Sequence, residues 1–374
     1  MKNWEEQIKL PNKQSDINYA YILKSDTQPV ICSYEELLDT IENNKDVKYV
    51  ATPQNECFFI PGTDYETLQP VLRQKKLDIK NNLNWGIVYT LLFGGIMFMF
   101  SVTSDEGFWA NGSGKLNILI FGIIPVFNSL YELFSIKRIN KSNYQKECTE
   151  LKFDFWINQK RVISIFIVTG ILILITIIQF VSGLNDSVQL AGLVKPNTLD
   201  GEYWRLLTCT LLHGSILHIL FNGAAIFVIG QMVIRITGFS YFAIVFLFSG
   251  ILGSIFSLFF MPSQTSVGAS GGIMGLIGFI LIISIKFNEI IPRNLIKSML
   301  NTIILVAIIG ISASDIIDNA AHGGGLIGGI VIGLLLIKKR NNMIPYTPNL
   351  WVNILGGISA SILIGGIVII IKQL

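Results

Sequence analysis

Apolar runs long enough to cross a bilayer constrain this chain more than any other feature. Residues 162–181, 242–261 and 351–371 contain no Lys, Arg, Asp or Glu, and a helix needs about 20 apolar residues to span the hydrocarbon core. Further runs at 85–102, 116–136, 206–234, 270–285, 298–312 and 320–337 bring the expected spans to nine. The composition agrees: 14% of residues are charged, where a soluble domain carries about 25%. These runs predict an all-α polytopic membrane protein. No basic, aromatic-interleaved patch points to nucleic acid.

Residues 1–83 read differently. They hold thirteen acidic and ten basic residues and only short apolar runs. Strands are expected at 19–23, 48–51 and 57–60, the last ended by Pro61-Gly62. Ser33 with Glu36 three residues on predicts a capped helix, and 63–76 a second one. The expected result is a small, soluble α/β domain, with a regulatory or partner-binding role and a stabilising appendage both open. A cytosolic partner belongs to the first reading. The polar, acidic start (Met1 to Glu6) predicts no cleavable signal peptide. Cys32, Cys57, Cys148 and Cys209 show no CxxC or metal spacing, so reduced thiols are expected.

Basic residues set the orientation, since cytosolic loops collect Lys and Arg. With residues 1–83 inside, inner loops carry Lys137, Arg138, Lys141, Lys146, Lys152, Lys160 and Arg161, then Arg235, then Lys286, Arg293 and Lys297, then Lys338, Lys339 and Arg340. Outer loops carry Lys115, Lys195 and Arg205 between spans, with Asp105, Glu106, Asp315 and Asp318. Nine spans would leave the C-terminal Lys372 outside. High Ile, Lys and Asn usage without a transit peptide leans towards a bacterial plasma membrane.

Three polar islands interrupt the apolar spans. Gly268-Ala269-Ser270-Gly271 opens a short helix after Pro262 and the polar run 263–266. Such a half-depth helix needs its preceding loop buried in protein or lining water. A serine at a helix start meets unpaired N–H groups and the positive dipole end, which favour a developing anion. The same glycines make Gly268xxxGly272 and Gly271xxxGly275 spacings, which alone would mark helix packing. In the second island, Asn319 to Gly329, His322 is an ionisable group in a membrane segment and therefore a functional candidate. Gly325xxxGly329 allows its helix the close approach that a His–Ser hydrogen bond requires. The third island spans His213 to Asn222. His218 and Asn222 are four apart, share one helix face and can both donate to an oxyanion. His213 is read as structural.

Together these supply a nucleophile, a base and two donors, an acyl-transfer set. No acidic residue on these segments orients His322, so a Ser270–His322 dyad is the economical reading. No metal is expected: there is no HExxH, and three histidines without an intramembrane carboxylate are a poor zinc set. No cofactor is expected either.

In order and spacing, Trp204-Arg205, His213, His218xxxAsn222, Gly268-Ala269-Ser270-Gly271 and Ala321-His322 with Gly325xxxGly329 resemble the rhomboid intramembrane serine proteases. The resemblance implies a six-helix catalytic core at 162–340, preceded by two extra membrane helices and a basic linker (84–161) and followed by a linker and a C-terminal helix (341–374). It implies that Ser270 is the nucleophile and His322 its base. His218, Asn222 and the Ser270 N–H would hold the oxyanion beside Gly268, with His213, Trp204, Arg205, Gly325 and Gly329 shaping the site. It further implies transmembrane or membrane-adjacent protein segments as substrates, with 298–312 and 263–266 gating access. A non-proteolytic client binder on the same fold is the alternative. A transporter is disfavoured because no inverted repeat is visible.

Overall fold

The computed structural model describes residues 3–13, 17–44, 46–103, 118–159, 162–314, 317–338 and 344–374. Asp105, Glu106, Lys115, Lys160, Arg161, Asp315, Lys339 and Arg340, used in the topology argument, lie outside the described residues. The chain divides into two compact units, Lys2–Gln159 and Lys160–Leu374.

In the first unit, strands β1 (Tyr19–Leu23), β2 (Val30–Cys32) and β3 (Val47–Ala51) form an antiparallel sheet of order β2-β1-β3. Helix α1 (Tyr34–Asn43) starts where the capping pair predicts. The Glu36 N–H donates to Ser33 Oγ at 3.2 Å and the Ser33 N–H to Glu36 Oε2 at 2.8 Å. Its Leu37 and Ile41 pack on Val50. The strand expected at 57–60 is reduced to isolated bridges, Asn12 with Cys57 and Val50 with Phe59. Strand β2 was not anticipated.

The helix expected at 63–76 does not stop there. Helix α2 runs from Tyr65 to Thr103, because residues 71–85 contain neither Gly nor Pro to end it. Leu68 and Leu72 pack with Cys148, whose thiol burial pushes up to about 11. A π-helical stretch, Ile118–Ile123, leads into α3 (Ile124–Ile136), and α4 covers Tyr144–Asn158. Phe153 of α4 meets Trp4 edge to face at 5.1 Å.

The second unit is helical. Helix α5 (Ile163–Ser182) is followed by three short helices, α6 (Leu184–Ala191), α7 (Lys195–Leu199) and α8 (Arg205–Thr208). Then come α9 (Ile216–Thr237), α10 (Phe239–Phe260), α11 (Ser270–Lys286), α12 (Arg293–Ser312), α13 (Asn319–Leu336) and α14 (Leu350–Gln373). The expected span at 206–234 is broken near its start. Gly214 and Ser215 interrupt it, and Ser215 caps α9 by accepting from the His218 N–H at 3.1 Å. Among the described residues, α5, α9, α10, α12, α13 and α14 are long and apolar enough to cross a membrane. This is a multi-pass integral membrane protein. Helix α11 is shorter, with 17 residues, and lies at the centre, packed by α10, α13 and α9. All four cysteines are free thiols.

Candidate active site

Glycine brings α11 and α13 together. A Cβ added at Gly325 would lie 2.0 Å from the Gly271 carbonyl oxygen, and one at Gly329 would lie 1.8 Å from that of Gly275. The two backbones are thus in contact, which no residue with a side chain would permit. The contact falls one residue after Ser270 and three after His322. At the same level, a Cβ on Gly271 would reach the Ala321 carbonyl oxygen at 3.5 Å. Both Ser270 and His322 are half-buried. His322 Nδ1 is buried without a hydrogen-bond partner among the described residues.

Ser270 is the first residue of α11, where backbone N–H groups lack helical partners. The loop before it is held from several sides. The Gly268 N–H donates to Cys209 O at 2.8 Å, and Leu193 and Ser266 exchange backbone bonds at 3.0 and 3.3 Å. Gly268 has φ of +137°, a region L side chains rarely adopt. It also has no room for one. An added Cβ would lie 2.7 Å from His218 Nε2 and 3.5 Å from Asn222 Nδ2.

His218 and Asn222 therefore face the backbone two residues before Ser270. The Gly214 N–H points at His218 Nδ1 from 3.5 Å, which favours the tautomer with its proton on Nε2, the nitrogen beside Gly268. Asn222 is buried, and its Nδ2 has no partner among the described residues. An unmade buried donor costs about 1–3 kcal/mol.

His213 is fully buried and serves as a strut. Its backbone N–H donates to Gln179 Oε1 at 2.9 Å, and Gln179 Nε2 donates back to its carbonyl at 3.2 Å. Thr176 Oγ1 is 3.3 Å from its Nδ1. The ring stands edge to face against His218 at 5.2 Å. The side chains of Trp204 and Arg205 make their contacts within residues 189–205. Arg205 donates to the carbonyls of Gln189 (3.0 Å) and Gly192 (2.8 Å), pairs with Glu202 at 2.5 Å and stacks on Trp204 at 4.6 Å. They hold the 184–205 segment in shape.

A polar network beside the site went unnoticed in the sequence. Lys195, expected in an outer loop, is buried; it donates to the Gln264 carbonyl and, at 2.6 Å, to Ser266 Oγ. Asp318, which the sequence assigns to the outer side of the membrane, is half-buried and takes Ser266 Oγ at 2.5 Å, the Ser257 hydroxyl, and the Ala321 N–H at 2.9 Å. Desolvation lowers the Lys195 pKa against the opposing pull of Asp318. These residues share no motif spacing, so their meeting depends on the fold.

The family model of the rhomboid domain matches residues 200–339. The Bacillus subtilis rhomboid-family protein YdcA is 36% identical over 142 residues, 38% of this chain and 71% of that protein. This chain belongs to the rhomboid family. Two further rhomboid relatives are longer. RHOMBOID-like protein 4 of Arabidopsis thaliana is 35% identical over 187 residues, 47% of each chain. Rhomboid protease GluP of B. subtilis is 39% identical over 147 residues, 39% of this chain and 29% of that protein. The chain thus spans less than half the length of these two relatives. The rhomboid match covers Trp204 through Gly329, the stretch that holds every candidate site residue.

Proposed function

We propose that this protein is an intramembrane serine endopeptidase that cleaves transmembrane or membrane-adjacent segments of other proteins. Ser270 Oγ attacks the scissile carbonyl while neutral His322 accepts its proton. The tetrahedral oxyanion is received by His218 Nε2–H, the Asn222 amide and the Ser270 backbone N–H. His322 then returns the proton to the leaving amine, and water releases the acyl group by the same route. The observation that carries this reading is the buried, unpartnered Asn222 donor facing Gly268, two residues from a serine that opens a helix. Preformed donors of this kind typically contribute about 10²–10³ in rate each.

In this reading, residues 1–83 form a cytosolic α/β domain open to a cytosolic partner, 84–161 supply two further membrane helices, 162–340 are the catalytic core, and 341–374 add a last helix. The protein resides in a bacterial plasma membrane with its N-terminus in the cytosol, and no cofactor takes part. Helix α12 and the 263–266 loop gate access from the lipid. The test is cleavage of a single-span model substrate by wild type, Ser270→Ala and His322→Ala, beside labelling with a fluorophosphonate. Equal cleavage by the variants would overturn the proposal.

A further inference from the structure

The polar network around Asp318 spans the two elements that the chemistry must hold in register. Asp318 is the N-cap of α13. Its Oδ1 accepts the Ala321 N–H, and its backbone carbonyl accepts the His322 N–H at 3.2 Å. Its Oδ2 takes the hydroxyl of Ser266, four residues before Ser270, and that of Ser257 near the end of α10. Ser257 Oγ also lies 2.9 Å from Ser266 Oγ; with the Ser266 proton directed at the carboxylate, its oxygen is left as an acceptor. Lys195 fills it, and the same ammonium holds the Gln264 carbonyl.

We infer that Lys195 and Asp318, joined through Ser266, are positioning residues. They fasten the loop that presents Ser270 to the first turn of the helix that presents His322. The inference rests on the dyad proposed above, and it adds the means by which two separate helix starts keep one geometry. Glycine contacts between α11 and α13 set how close the helices come, and backbone bonds tie the preceding loop to Leu193 and Cys209, but neither ties that loop to the start of α13. The network supplies that tie. It also explains a lysine with 3% exposure: a buried ammonium is retained where it is paired and hydrogen-bonded. Neither Lys195 nor Asp318 hydrogen-bonds Ser270 or the His322 ring among the described residues, so their hydrogen bonds act through the backbone they hold, while the Asp318 carboxylate also acts on the His322 ring by its charge. A displacement of about 1 Å at a reacting pair can cost 10²-fold in rate.

The full-length protein in detergent or liposomes provides the test, with Lys195→Met, Asp318→Asn, Ser266→Ala and Ser266→Thr beside wild type. The expected result is a fall in kcat of about tenfold or more for the first three with KM within about twofold, and recovery of most of the turnover in Ser266→Thr, which keeps the hydroxyl. The Lys195→Met/Asp318→Asn double variant should be no worse than the poorer single variant, because each single change strands the other charge. A loss of folded protein alone would lower the active fraction without this rescue. Amide hydrogen exchange of 264–271 supplies a readout independent of catalysis and should rise in the three disrupting variants. Unchanged exchange would overturn the latch whether or not the wild type cleaves. Raised exchange with unchanged kcat in a cleaving enzyme would overturn its positioning role. Cleavage surviving in Ser270→Ala would instead defeat the proposed dyad and leave the exchange result to judge the latch.

Discussion

Helices α11 and α12 are neighbours in the chain and both strongly apolar, yet they occupy opposite environments. Thirteen of the seventeen residues of α11 are buried, against three of twenty in α12. Hydrophobicity cannot be the reason, since lipid accepts apolar side chains as readily as protein does. The difference is size. Helix α11 carries Gly271, Gly272, Gly275 and Gly278, while α12 has Gly310 alone. Glycine lets neighbouring backbones close on α11, whereas Leu300, Ile304, Ile308 and Ile311 keep α12 facing outward. Between these two helices, small residues rather than greasy ones mark the one that is enclosed.

The comparison can be broken or sharpened by substitution. The largest effect separates chemistry from packing. Ser270→Ala or His322→Ala should lower cleavage of a single-span substrate by about 10³-fold or more, with thermal unfolding of the purified protein little changed. Next, Gly329→Val places side-chain atoms against the Gly275 carbonyl, which cannot move aside as a rotamer would. It should destabilise by about 3 kcal/mol, read from unfolding in micelles. Gly268→Ala combines strained φ with collision against His218. A stability loss of about 1–3 kcal/mol should accompany a drop of about 10²-fold in turnover, measured on the folded fraction. The smallest effect belongs to α12, where Ile304→Ala should change stability by no more than about 0.5 kcal/mol. If Ile304→Ala and Gly329→Val cost the same, packing density does not distinguish these helices.

Several features were legible because they are local. The Ser33–Glu36 capping pair starts α1 where expected, since both partners lie within one turn. Strand β1 has its expected bounds, and the helices at α5, α10, α11 and α14 follow their apolar runs within a few residues. Where punctuation was misjudged, boundaries moved. Helix α2 ran past residue 76, with neither Gly nor Pro between 71 and 85, and α9 began late because Ser215 caps it. The site divides in the same way. Spacing alone puts His218 and Asn222 on one face of α9, and composition alone marks Ser270 and His322 as out of place in apolar surroundings.

The sequence by itself determined that this chain enters a membrane as helices, because backbone polar groups in lipid must be satisfied within each segment. It also determined which side chains were available for chemistry, since so few polar residues interrupt the spans. Tertiary structure alone decided what those side chains face. Ser257 and Ser266 meet at the Asp318 carboxylate, and Lys195, 123 residues before Asp318, joins them through Ser266. Asn222 keeps a donor without a partner among the described residues beside Gly268 for the same reason. Long-range meetings of this kind leave no period or spacing in a sequence. They arise from how closely glycine lets the helices approach, a property of several helices packed at once.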